Sequence, residues 1–212
     1  MRNWRLLLPV LMVLVALASI ATRLDWFGLG SPTSQAMRNA VPVPGGADLG
    51  APIAIGGPFR LTDAEGRTVT DRDFLGKWML VYFGYTNCPD TCPTALNDIA
   101  NALDMLGPKA ADIAPVFITI DPARDTPAII GAYTAKFDKR ITGLTGTPEE
   151  LAHVEKEYRV YASSEPHEDH GRAVLDHSSV IVIMNPQGRF ADALNGDASP
   201  EIIAAKLRAL DH

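Results

Sequence analysis

The sequence predicts a mixed α/β domain, a single β-sheet covered by helices on both faces. Three observations carry that reading. Met79–Gly84, Ala114–Ile120 and Ser179–Met184 are short and almost wholly apolar, the pattern of central strands buried on both sides. Between and after them, apolar residues recur at helical spacing, as at Leu96, Ile99, Ala100, Leu103 and Leu106. Turn formers punctuate the alternation, with Gly107-Pro108 stopping a helix and Asn185–Gly188 turning a strand back. Strands alternating with helices, then a closing hairpin and helix, give such a sheet.

In chain order, Met1 to Arg5 is a short basic start, followed by 17 residues without a charge, Leu6 to Thr22. That run is just long enough to span a bilayer. Ala16-Leu17-Ala18 offers a signal cleavage site, but the apolar run continues past it to Ala21. Residues 1–23 are therefore read as a retained membrane anchor. Arg2 and Arg5 hold its start in the cytoplasm and send the rest of the chain across, into an oxidising compartment. Residues 24–57 carry Pro32, Pro42, Pro44 and Pro52 among many Gly and Ala, and read as a tether. Residues 58–212 form the domain.

Within it, Phe59–Thr62 and Thr68–Thr70 flank a turn containing Gly66, a predicted hairpin. The first apolar strand, Met79–Gly84, runs into Cys88-Pro-Asp-Thr-Cys-Pro93, and helix is expected from Thr94 to Leu106. A second helix is expected over Thr126–Lys139, with Pro127 in its first turn. Thr147-Pro-Glu-Glu150 opens a third helix, to about Arg159. Arg189 to Leu194 returns from the third strand, and Ser199-Pro-Glu201 opens a last helix to Leu210.

Composition removes several classes of function. Hydrophobic residues make up 47% of the 212, enough for a packed core and too many for a disordered chain. Leaving out Arg2, Arg5 and Arg23 takes the formal charge from −6 to −9. An acidic domain without a Lys/Arg-rich run is poorly suited to holding phosphate backbones, so nucleic acid is set aside. Two cysteines exclude a disulfide-stapled scaffold. Gly-rich phosphate loops, Ser nucleophile elbows and HExxH zinc motifs are all missing.

Cys88 and Cys92 carry the chemistry. Four positions apart on a helical turn, they share a face, with Cβ atoms roughly 6 Å apart. They stand where strand becomes helix, so free backbone N–H groups and the dipole favour thiolate. Spacing alone leaves three readings open: a soft-metal chelate, a redox disulfide, or a structural disulfide, which a loop this short would make only weakly stabilising. His177 decides among them by position. It stands just before the strand Ser179–Met184, which in a thioredoxin-like sheet lies beside the cysteine-bearing helix start. Thioredoxin-like reductases carry a proline there, whereas the next proline here is Pro186. Two thiolates and an imidazole make a soft, low-coordinate site suited to Cu(I) and able to hold Cu(II). Zinc would normally take a fourth ligand.

From about Ile55 to Leu210 the chain resembles the SCO/SenC family of copper-binding proteins that assemble cytochrome c oxidase. Four motifs in order carry the likeness: Gly56-Gly-Pro-Phe59 with Asp71-x-Asp-Phe-x-Gly-Lys77, then Thr86-x-Cys-Pro-Asp-x-Cys-Pro93, then Asp121-Pro-Ala-Arg-Asp-Thr-Pro127, then Asp176-His-Ser178. The resemblance implies a thioredoxin-like fold and copper on Cys88, Cys92 and His177. It implies delivery to the copper A centre of oxidase subunit II, with a periplasmic copper donor or thiol reductant as further partner. It also implies an alternative, a thiol–disulfide reductant acting on the acceptor's cysteines through a Cys88–Cys92 disulfide. A bacterial-type inner membrane with the domain in the periplasm follows. Position 87, often His in relatives, is Asn here.

Secondary candidates each have a plain structural counterpart. Asp90 between the cysteines tunes the metal or caps the helix. Asp121, at a strand end on the same sheet edge, supports the ligands from behind or docks a partner; alternatively Asp121, Arg124 and Asp125 organise their loop. His167 and His170, around Glu168 and Asp169, form a metal-collecting loop or simply a solvated hairpin tip. A peroxidatic cysteine would need a Thr/Pro/Arg setting that is not seen around Cys88.

Overall fold

The computed structural model describes residues 54–163, 167–169 and 172–210. A seven-stranded mixed sheet forms the centre. Its strands are β1 (Arg60–Asp63), β2 (Thr68–Thr70), β3 (Trp78–Gly84), β4 (Ile113–Thr119), β5 (Thr142–Thr145), β8 (Val180–Met184) and β9 (Phe190–Asn195). A separate two-stranded hairpin joins β6 (His167–Asp169) to β7 (Arg172–Val174). The order across the sheet is β2-β1-β5-β4-β3-β8-β9. β3, β4 and β5 run parallel, while β8 and β9 return antiparallel. The helices are α1 (Thr91–Leu106), α2 (Pro127–Thr134), α3 (Pro148–Glu157) and α4 (Pro200–Leu210).

Strand periodicity divides the core in two. Leu80, Tyr82, Phe117, Ile181 and Ile183 point to one face, where they meet α1 and α4 through Leu96, Ile99, Leu103, Ile203 and Leu207. Their neighbours Met79, Val81, Phe83, Val116, Ile118 and Val182 point to the other, against Leu151, Val154 and Tyr158. The expected helices on both faces are therefore present.

Local chemistry explains the element ends. In the β1–β2 hairpin Gly66 takes φ 78°, and the Asp63 carboxylate accepts from the backbone N–H of Glu65 (3.0 Å) and Arg67 (2.8 Å). Thr147 and Glu150 form a reciprocal capping box that opens α3.

Two boundaries and one strand differ from expectation. α1 begins at Thr91, which puts Cys92 in its first turn and leaves Cys88 in the turn before it, bonded N–H to the Tyr85 carbonyl. α2 ends at Thr134 rather than Lys139, because Lys136 and Phe137 tighten into bonds to the carbonyls three residues back. Thr142–Thr145, which has no apolar run, is a fourth central strand, β5. At the domain's start, Ile55 packs on the α3-side core and the Gly56 N–H bonds the Glu157 carbonyl at 2.8 Å. Among the described residues no helix is long and apolar enough to cross a membrane. The segment read as an anchor, residues 1–23, and the tether up to residue 53 lie outside them.

Candidate metal centre

The end of β3, the first turn of α1 and the approach to β8 converge on one point. There Cys88 Sγ, Cys92 Sγ and a His177 ring nitrogen lie within 4.8 Å of one another. Among the described residues this is the single group of His, Cys, Asp or Glu side chains close enough to hold a metal ion. Both cysteines are free thiols. Cys92 is fully buried, whereas Cys88 and His177 are half-buried, so the site is sealed behind Cys92 and open on its other two corners.

Each of the three side chains has a different support. Cys92 Sγ sits against Gly84, where a Cβ would fall 2.6 Å from that sulfur and 2.9 Å from the Phe117 ring. Only glycine lets the sulfur pack against the strand end there. Cys88 Sγ faces the Cys92 backbone N–H at 3.5 Å and the Thr91 hydroxyl at 3.2 Å. His177 lies three residues before β8, bridged in antiparallel fashion to Ala162. Tyr82 and Tyr85 meet its ring edge-on, each with centroids 6.1 Å away. Its Nδ1 stands 3.2 Å from the Ser178 carbonyl, and a carbonyl only accepts, so Nδ1 carries the proton. Nε2 is left with its lone pair facing Cys92 Sγ at 3.5 Å, the tautomer a metal-ligating imidazole needs.

Electrostatics set the two sulfurs apart. Hydrogen bonding from Cys92 above all, with Thr91 and the Cys92 backbone N–H adding to it, pulls Cys88 from its ordinary 9.0 down to about 3 against the opposing effect of burial. The same bond, burial and the Cys88 charge push Cys92 well up. The metal-free pair thus shares one proton, held on Cys92. Burial keeps the Tyr82 phenol protonated beside them.

The loop ahead of Cys88 is fastened by Asp125, a wholly buried carboxylate. It accepts from the Thr86 N–H (3.0 Å) and hydroxyl (2.5 Å) and from the Thr119 hydroxyl (2.5 Å). One expectation from sequence has Asp125 organise its own loop with Asp121 and Arg124; the carboxylate reaches instead to the loop that precedes the cysteines. The other candidates stand apart from the sulfurs. Asp90 occupies the N-cap position of α1, exposed and without a side-chain cap bond, so its expected capping role is not made; only its carbonyl accepts, from the Thr94 N–H. Asp121 is buried and pairs with Arg124, and no hydrogen bond joins it to the thiols or the imidazole. Glu168 is exposed on the β6–β7 hairpin, and His170 lies outside the described residues. Sequence reasoning missed Gly84 and the ring supports Tyr82 and Tyr85. Their signal was present only as the Tyr82-Phe-Gly-Tyr85 run leading into the cysteines.

The sequence profile described as SCO1/SenC matches residues 47–211. The chain belongs to the SCO1/SenC family. It is 44% identical over 154 residues to protein SenC of Rhodobacter capsulatus, covering 73% of this chain and 69% of that protein. It is 41% identical over 159 residues to the mitochondrial SCO2 homolog of Danio rerio, covering 74% of this chain and 57% of the relative. The chain thus spans little more than half the length of such mitochondrial relatives. Among solved structures, ScoI of Bradyrhizobium japonicum with copper bound is similar at 46% identity and a TM-score of 0.67. That match covers 74% of this chain and 99% of the solved one.

Proposed function

We propose that this protein carries copper on Cys88, Cys92 and His177 and delivers it to the copper A centre of cytochrome c oxidase subunit II. The observation that carries this reading is the convergence of two thiols and one imidazole lone pair within 4.8 Å. The donor set fits: an already ionised Cys88, a Cys92 that loses its proton on binding, and an Nε2 poised by the Ser178 carbonyl. Soft sulfurs with one imidazole suit Cu(I), and among the described residues no fourth ligand of the kind zinc prefers joins them. The copper-bound relative supports the same reading. A pure dithiol exchanger has no use for the directed Nε2, which is why the carrier reading is preferred over the thiol reductase.

Residues 1–23 anchor the chain in the inner membrane of a bacterial-type cell, and the tether from residue 24, which ends before Ile55 joins the core, lifts the domain into the periplasm. There an acceptor bearing its own cysteines and histidines meets the open corners of the site and takes the metal through shared-ligand intermediates. Anaerobic Cu(I) competition titration of the reduced chain, with His177→Ala in parallel, tests the carrier. Tight one-to-one binding that collapses in the variant is expected. Binding indifferent to His177 would overturn the reading and leave Cys88 and Cys92 as a redox pair, whose reduction potential would then be the quantity to measure.

A further inference from the structure

Beside the metal centre, on the α3 face of the sheet, lies a cleft of about 340 Å³. Its walls are largely apolar, built by Pro148, Leu151, Ala152, Ala162 and Leu175. It shares structure with the site. Ala162 is the bridge partner of His177, and the Leu175 N–H is held at 3.2 Å by the hydroxyl of Tyr85, the ring that abuts His177.

Two carboxylates line this cleft, and their situations differ. Asp121 is neutralised by Arg124. Glu155 is half-buried, and among the described residues no cation or hydrogen-bond donor meets its carboxylate. Burial without compensation holds its carboxyl up to about 7. Taking a carboxylate out of water without a partner costs free energy that a cation or donor would recover. With Arg124 already engaged by Asp121, Glu155 is the cleft's one unpaired acid, set among apolar walls on a domain that is acidic as a whole, and a cation beside it would favour its ionised form. A basic side chain matches that description, since its methylene stem packs on apolar walls while its head seeks a carboxylate.

We propose that this cleft receives a lysine or arginine side chain of the protein that exchanges copper with the Cys88–Cys92–His177 site, with the cationic head on Glu155. The inference rests on the carrier reading above. The contact registers the partner on the histidine side of the centre and leaves the ligands themselves free. Charges of this kind act chiefly on encounter and orientation.

Two experiments on the full chain test it. In the first, butylguanidinium is titrated into the 15N-labelled protein, with butylurea as the neutral isostere. Amide shifts at Leu151, Ala152, Glu155 and Ala162 are expected with the cation, and about tenfold weaker responses with butylurea or in Glu155→Gln. Equal responses to both probes, no response, or an unchanged Glu155→Gln variant overturns the proposal. In the second, copper transfer to the apo copper A domain of an oxidase subunit II is timed. Glu155→Gln is expected to slow transfer about tenfold while copper affinity and removal by a small chelator stay at parental values. Transfer at the parental rate, or an equal slowing of removal by the chelator, overturns it. If even the parent protein fails to load that acceptor, the delivery reading falls, and the small-cation titration still decides the cleft.

Discussion

The two sides of the metal centre are built differently. The cysteine side is an extension of the core: β3 ends at Gly84 against the Cys92 sulfur, α1 starts at once with Cys92 wholly buried, and Asp125 pins the intervening loop through Thr86 and Thr119. The histidine side is fastened at the surface. His177 is held by one bridge to Ala162, by bonds from the Ser163 N–H to the Asp176 carbonyl (2.7 Å) and from the Ser178 N–H to the Tyr161 carbonyl (2.8 Å), and by two tyrosine rings. The contrast teaches that the dithiol is positioned by packing and the third ligand by a small set of separable polar bonds. Damage on the first side should therefore be cooperative, and damage on the second graded.

The largest break is expected from Gly84→Ala. The added Cβ displaces either the Cys92 sulfur or Phe117, and overpacking of this kind costs about 1–3 kcal/mol. Thermal melts should show that loss, and Cu(I) competition titration should show affinity falling by well over tenfold. Asp125→Ala comes next. It leaves the Thr86 N–H and Thr119 hydroxyl without their acceptor, a penalty of about 1–3 kcal/mol for each buried group left unpaired. Denaturant unfolding should register the loss, and Cu(I) titration a weakened site although no ligand has been touched.

Proton competition sharpens the comparison within the cysteine side. Cys88 titrates near 3, and Cys92 stays protonated well above its ordinary value. Between pH 5 and 8 copper must therefore displace one proton, from Cys92, so affinity should fall about tenfold per unit of acidification. Competition titrations across that window would give a slope near two if Cys88 also had to ionise. For the reduced, metal-free fold, the depressed Cys88 value means the unfolded chain binds the extra proton between about 3 and 9. Its stabilising contribution is complete above 9 and fades as pH falls toward 3, while the raised Cys92 value reverses the slope above 9. Urea midpoints of the reduced apo protein, taken relative to a Cys88→Ser variant, should follow that dome.

The smallest effect is expected from Tyr85→Phe. It keeps the ring against His177 and takes the acceptor from the one Leu175 N–H, a loss of about 1–3 kcal/mol for that single buried group left unpaired. Copper affinity should change severalfold at most. A collapse as deep as that of Gly84→Ala would show that the histidine side is as cooperative as the other.

Much of this was legible in the sequence where a residue type has few uses. Two cysteines at a strand-to-helix junction and a histidine at the start of a later strand mark the site, because sulfur and imidazole there are rarely packing residues. The apolar runs behind β3, β4 and β8 announce themselves through their composition. β5 does not: Thr-Gly-Leu-Thr carries one large apolar residue, and its place comes from Gly143 lying under Ile130 and Thr134 of α2, where a Cβ would meet the Ile130 side chain at 3.0 Å. Nor can sequence show that Asp125 reaches Thr86, 39 residues earlier, since that contact exists only once β3 and β4 are paired. The same holds for Glu155. Its spacing suits the solvated side of a helix, and its place in a cleft appears only once Ala162, Ser163 and Leu175 share that cleft with α3.

One consequence concerns the order in which bonds to the metal can break. In the proposed carrier, an incoming thiolate or imidazole would reach the ion only past Cys88 or His177, because Cys92 is closed off beneath Gly84 and Phe117. Cys92 is then the last bond to part, and it is also the sulfur with the strongest appetite for a proton. Departure of the ion and arrival of that proton become a single exchange at the back of the site. The emptied centre returns to a one-proton dithiol with Cys88 ionised, ready to accept the next ion.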